Sequence, residues 1–187
     1  MFVYQKKLMF PVNITKKDLK MAKYIVTQYG GADGELRAAI RYLNQRFTMP
    51  TDEGKALLTD IGTEELGHVE IVQTMLYQLT KDATAKEMEE VGLGSHYAQN
   101  GKGLFPTDAS GVPMSVVGIG AHGNDYIADL VENLAAEEKA RATYEHLMDL
   151  TEDEDILSPL AFLREREIIH FQRFGELLTK YQNDLKK

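Results

Sequence analysis

The chain has 187 residues, 43% hydrophobic content and a formal net charge of −8 at pH 7. That size and apolar share suit one domain with a sizeable core, while an acidic balance without a basic patch excludes nucleic acid and an anionic membrane surface as main partners. No apolar run approaches the roughly eighteen residues of a membrane span, and the absence of Cys excludes disulfides and thiolate ligands, leaving oxygen and imidazole for any metal site.

Residues 1–14 read as an extended arm, with Pro11 barring an early helix and Thr15 placed as an N-cap. The opening MFVYQKKLMFPV mixes charge into short apolar runs and has no small-residue cleavage site, so we expect no signal peptide. A first long helix is expected from about Lys16 to Phe47, on the seam Ala22, Ile25, Tyr29, Ala32, Leu36, Ala39 and Leu43. Glu35 lies on the flank of that seam, among Gly30, Gly31 and Gly34, which signal close approach by a neighbour.

After a break at Met49-Pro50, Thr51 starts a second helix that ends near Leu79. Its apolar seam of Leu58, Ile61, Val72, Met75 and Leu79 is interrupted by Glu65 and His68. An ionised Glu in a packed interior loses several kcal/mol of hydration unless positive charge replaces the water, and a metal ion would do so. Residues 80–123 form a crossover, with DATAKEMEEVGL as a short helix and eight of the fifteen glycines between Gly92 and Gly123. Connections of that length are often functional, as site covers or subunit contacts.

Asn124 is expected to cap a third helix to about Leu150, with Glu137 in the seam and Arg141 four residues on, placed to hold that glutamate or close a site. A fourth helix from roughly Ile156 to Gln182 has Pro159 in its first turn. Its seam of Leu160, Leu163, Phe174, Leu177 and Tyr181 is interrupted by Glu167 and His170 at the same place as in the second helix. One Glu from each of two helices plus Glu-x-x-His from the other two is the dinuclear arrangement built inside four-helix bundles. Two divalent cations would balance four carboxylates in a dry site. The element order, with its long crossover between helices 2 and 3, resembles the ferritin-like fold, so residues 1–187 are expected to be a single all-α, ferritin-like four-helix bundle.

The segments GGADGELRAAIRYL, TDIGTEELGHVEIV, NLAAEEKARATYE and FLREREIIHFQRF resemble those of the manganese catalases, and the resemblance runs from the KKL of the arm to the fourth helix. It implies disproportionation of hydrogen peroxide at two manganese ions per chain, without haem. The implied ligands are Glu35, Glu65, His68, Glu137 and His170, with Glu65 bridging, and Glu167 is implied as an outer-sphere acid/base. Tyr42 matches a position whose hydroxyl supports the first glutamate. The resemblance also implies a homo-oligomer, a hexamer. Many relatives continue into a long C-terminal tail, whereas this chain stops at Lys187 and is similar to the short spore-coat branch, which implies the cytoplasm or the spore coat, with other coat proteins as partners. Alternatives stay open: ligation by Glu167, a diiron protein of the ferritin or rubrerythrin kind, and a structural coat protein with little activity. His96, His122 and His146 match no ligand position and are expected at the surface or in loops.

Overall fold

The computed structural model describes residues 2–5 and 7–185. Among them form helices α1 (Leu19–Gly30), α2 (Glu35–Gln45), α3 (Asp52–Thr80), α4 (Ala85–Glu90), α5 (Gly94–Asn100), α6 (Tyr126–Met148) and α7 (Glu154–Asp184), and no strand forms among the described residues. Side-chain oxygens set the starts. Asp18 accepts from the Met21 amide, Thr51 from Gly54, and Asp125 from Ala128. The caps of α1 and α6 are therefore Asp18 and Asp125, not Thr15 and Asn124; the Thr15 hydroxyl instead donates to Asp155. Because α7 begins at Glu154, Pro159 lies in its second turn and not its first.

The expected first helix is two. It stops at Gly30 and restarts at Glu35, at a turn packed both under the crossover and against its own helix. A Cβ on Gly30 would overlap the backbone of Pro106 and Thr107, so the crossover passes directly over the chain there. A Cβ on Gly34 would lie 2.8 Å from the Thr27 carbonyl and 2.9 Å from that of Gln28, and only glycine lets the turn double back so tightly.

Two apolar clusters show how the helices run. One joins Ile25 of α1, Val72 and Met75 of α3, Tyr144 and Leu147 of α6, and Leu160 and Leu163 of α7. The other joins Tyr42 of α2, Leu58 and Ile61 of α3, Leu130 of α6, and Phe174 and Leu177 of α7. The first half of α3 thus meets the second half of α7, and the two are antiparallel; α3 and α6 run parallel, which is why a long crossover must join them. The result is the four-helix bundle of ferritin-like order, and Glu65, His68, Glu137, Glu167 and His170 fall between the two clusters.

The crossover is strapped to the bundle at Gly30, at Arg37, whose guanidinium donates to the Val117 carbonyl at 2.9 Å and to that of Ser115, and at the buried Asp129, which accepts from the His122 amide and faces its Nδ1 at 2.6 Å. His96 is not a surface histidine: it is buried, stacked on Phe105 at 4.0 Å, and accepts from the Phe105 amide. His146 is exposed, as expected. The N-terminal arm lies along α3, where the Phe2 amide donates to Asp60 and Gln78 bonds both Ile14 and Val12.

Candidate metal centre

Glu65 and His68 leave α3 on one face, and Glu167 and His170 leave α7 on the face opposite, so four polar groups meet where the two helices cross between apolar ends. The Glu65 carboxylate lies between the two imidazoles, one oxygen 2.7 Å from His68 Nδ1 and the other 2.8 Å from His170 Nδ1. Glu35 approaches the His68 Nδ1 at 3.4 Å, Glu167 at 3.6 Å, and Glu137 stands 3.6 Å from His170 Nδ1. The rings are nearly parallel, 5.5 Å apart. All six side chains are buried.

These approaches are close without being hydrogen bonds. Both oxygens of Glu65, both nitrogens of each imidazole, one oxygen of Glu137 and one of Glu167 lack a hydrogen-bond partner, although buried polar atoms are nearly always paired. The atoms surround common points instead of pointing at one another. Two groups of four emerge, Glu35, Glu65, His68 and Glu167, and Glu65, Glu137, Glu167 and His170, in each of which one ligand atom per residue lies within 4.8 Å of the others. Glu65 and Glu167 belong to both. Carboxylate and imidazole around paired points suit two divalent cations.

The electrostatics carry the same demand. Burial, then the charge of Glu65, pushes the Glu35 carboxyl up, and burial with the charges of Glu35, Glu137 and Glu65 pushes Glu167 well above the usual carboxylate range. Burial would likewise raise Glu65, but His170 and His68 hold it well below that range; burial would lower both imidazoles, but Glu65 above all raises them. The cluster therefore draws positive charge, as protons or as cations.

Two tyrosines cross between the halves. The Tyr42 hydroxyl donates to Glu137 at 2.5 Å, and the Tyr144 hydroxyl donates to Glu35. Tyr42 thus supports the third-helix glutamate and not Glu35, because α2 and α6 face each other and each tyrosine, two turns beyond its own glutamate, reaches the other's. Burial first, and then the neighbouring carboxylate, keeps both phenols protonated and donating.

Arg141 does not enter the centre. Its guanidinium bonds Glu138 at 3.0 Å and Glu145 at 2.7 Å on the outer flank of α6, where residues three before and four after it supply carboxylates, while Ala140 takes the inward place. The arginine that approaches the centre is Arg166 of α7, whose Nε donates to the buried Glu64 at 2.7 Å. Glu64 in turn faces the outer nitrogens of both imidazoles, and these with Arg166 hold its carboxyl far below the usual range against the pull of burial.

Three comparisons bear on this geometry. The family described as manganese containing catalase matches residues 1–186. The chain belongs to the manganese catalase family. Protein CotJC of Bacillus subtilis is 54% identical over 100% of this chain and 99% of its own length, and a probable manganese catalase of Clostridium acetobutylicum is 34% identical over 98% of the chain and 82% of its own. Among solved structures, the manganese catalase KatB of Anabaena matches with a TM-score of 0.83 at 33% identity, over 97% of this chain and 81% of that one. The bundle is thus the ferritin-like fold of manganese catalases.

The roles of three residues at the centre escape a reading of seams, even for Tyr144, which lies on the third helix's seam, and the sequence holds a signal for each. Tyr144 stands seven after Glu137, as Tyr42 stands seven after Glu35. Glu64 and Arg166 each precede the glutamate of a Glu-x-x-His, so opposite charges occupy equivalent places on facing helices.

Proposed function

We propose that this chain disproportionates two molecules of hydrogen peroxide to two of water and one of dioxygen, using a dinuclear manganese centre held by Glu35, Glu65, His68, Glu137 and His170. The observation that carries it is the pair of buried donor groups sharing Glu65 and Glu167, with orphaned nitrogens and oxygens at paired points. Membership of the family supports manganese over iron. A manganese pair supplies the two-electron redox chemistry that each half of the reaction requires.

The protein's part is to orient donors, exclude water and handle protons. Glu65 spans both imidazoles; the Tyr144 and Tyr42 hydroxyls fix the carboxylates of Glu35 and Glu137. Apolar clusters on either side keep the site dry. Glu167 is the acid/base: burial and then three neighbouring carboxylates push its carboxyl well above the usual range, where it can hold a proton beside the centre. In Glu167→Gln, metal content measured by elemental analysis stays at two per chain while oxygen release falls by ~10²–10⁴. Normal oxygen release from fully loaded Glu167→Gln overturns the acid/base role, and iron in place of manganese, without gas from peroxide, overturns the catalase reading.

We place the protein in the spore coat, with other coat proteins and further copies of itself, as a hexamer, for partners. The resemblance to the coat branch carries this, and the 54% identity to Protein CotJC, against 34% to the probable manganese catalase, supports it. Immunogold labelling of spores tests the location; label confined to the cytoplasm of the sporulating cell overturns it.

A further inference from the structure

Glu64 lies outside both donor groups and on the far side of the imidazoles. One of its oxygens accepts from Arg166 Nε at 2.7 Å and faces His68 Nε2 at 3.8 Å; the other faces His170 Nε2 at 3.4 Å. Neither Nε2 has a hydrogen-bond partner, and Glu64 is the carboxylate before each. Nearly parallel rings set both Nε2 atoms side by side, within the span of a single carboxylate.

We infer that Glu64 is a positioning residue for both histidines at once: it accepts the Nε2 proton of His68 and of His170, which fixes both rings as Nε2–H tautomers and leaves both Nδ1 lone pairs aimed at Glu65 and the cations. The inference rests on the ligand roles of His68 and His170 proposed above. A carboxylate offers about four acceptor sites, enough for two imidazole N–H groups and one guanidinium. Shifts of about 0.5–1 Å bring both rings into hydrogen-bond range. Metal-bound histidines ordinarily donate their other N–H to a carboxylate or carbonyl of their own; here one residue serves both, so the two halves of the centre share their outer support as they share Glu65 inside.

Glu64, His68 and His170 also cluster closely enough to suggest a third cation position. Arg166 argues against it, because its guanidinium already occupies the oxygen that such an ion would need and would stand beside it with like charge. Glu64 and Arg166 also floor a cavity of about 430 Å³ beneath the N-terminal arm, so the pair seals the histidines from the solvent that reaches it.

The test starts with the unmodified protein, loaded with zinc as a diamagnetic stand-in and labelled with ¹⁵N at histidine. The expected spectrum has His68 and His170 metal-bound at Nδ1 and protonated at Nε2. Coordination of either ring through Nε2, or a third bound zinc, overturns the inference. In Glu64→Gln the amide keeps one acceptor oxygen and turns an NH₂ donor toward the other ring. Zinc and manganese affinities, by chelator competition, are then expected to fall ~10–100-fold, with the metal-free helical content unchanged by circular dichroism. Unchanged affinity in folded Glu64→Gln overturns it, and if the variant fails to fold the ring assignments of the unmodified protein decide alone. A wild-type protein that takes up no metal removes the metal centre itself, and the inference with it; a wild type that loads two ions through Nε2 removes only the inference.

Discussion

The two halves of the centre differ in one support: Glu35, grouped with His68 and the Tyr144 hydroxyl, is the first residue of α2, whereas Glu137, grouped with His170 and the Tyr42 hydroxyl, lies mid-way along α6. The parts are equivalent and their supports are not. Glu137 is aimed by twenty-three consecutive helical residues packed on α7. Glu35 is aimed by a four-residue turn that lies under the crossover, which packs on Gly30. A local rule of helix periodicity places Glu137, whereas Glu35 follows a turn packed under residues more than seventy positions away.

The largest effect is expected at Glu65, the proposed ligand that both halves share. Glu65→Ala removes the carboxylate between the two imidazoles, and elemental analysis should find both ions lost together, not one. Retention of one ion would mean that the halves bind independently. Next comes Gly30→Ala, which breaks only the first half. Its new methyl group must displace the backbone of Pro106 and Thr107, so chemical denaturation should show a loss of about 1–3 kcal/mol, with one metal site weakened more than the other in titrations. Equal weakening of both sites would erase the distinction between the supports. Smallest is the tyrosine pair. Tyr144→Phe leaves Glu35 without its donor, and Tyr42→Phe does the same to Glu137. Each should weaken one ion by roughly tenfold, the scale of a single bond to a charged group, and single-crystal anomalous occupancies should fall at opposite positions in the two variants.

The same contrast explains what could be read beforehand. Seams with Glu65 and His68, and with Glu167 and His170, are visible because a 3.6-residue period places apolar neighbours before and after them, and α3 and α7 are long enough for the period to speak. The crossover was legible from its glycines. The break before Glu35 is not, since its glycines signal a close neighbour without saying whether that neighbour is the crossover at Pro106 and Thr107 or the segment's own Thr27 and Gln28. Arg141 misled because a position four residues from Glu137 lies only some 40° around the helix, and a long side chain there can turn either way. Glu138 and Glu145, its flanking carboxylates, decide the direction. The exchange of tyrosines between halves depends on which helices face each other, and no single segment contains that information.

The position of the centre between two apolar clusters gives the bundle a waist of charge where most domains have their driest packing. Ions that bind only the folded chain stabilise it by RT ln(1 + [L]/Kd), about 2.7 kcal/mol at a hundredfold excess over Kd. In the proposed dimetal centre that stabilisation would act at the joint between the clusters. Stripped by a chelator, the protein should keep two oily ends and loosen in the middle, so that amide exchange accelerates first around Glu65 and Glu167. Occupancy is then a mechanical property as much as a chemical one, a clasp that makes two halves of a rod bundle move as one.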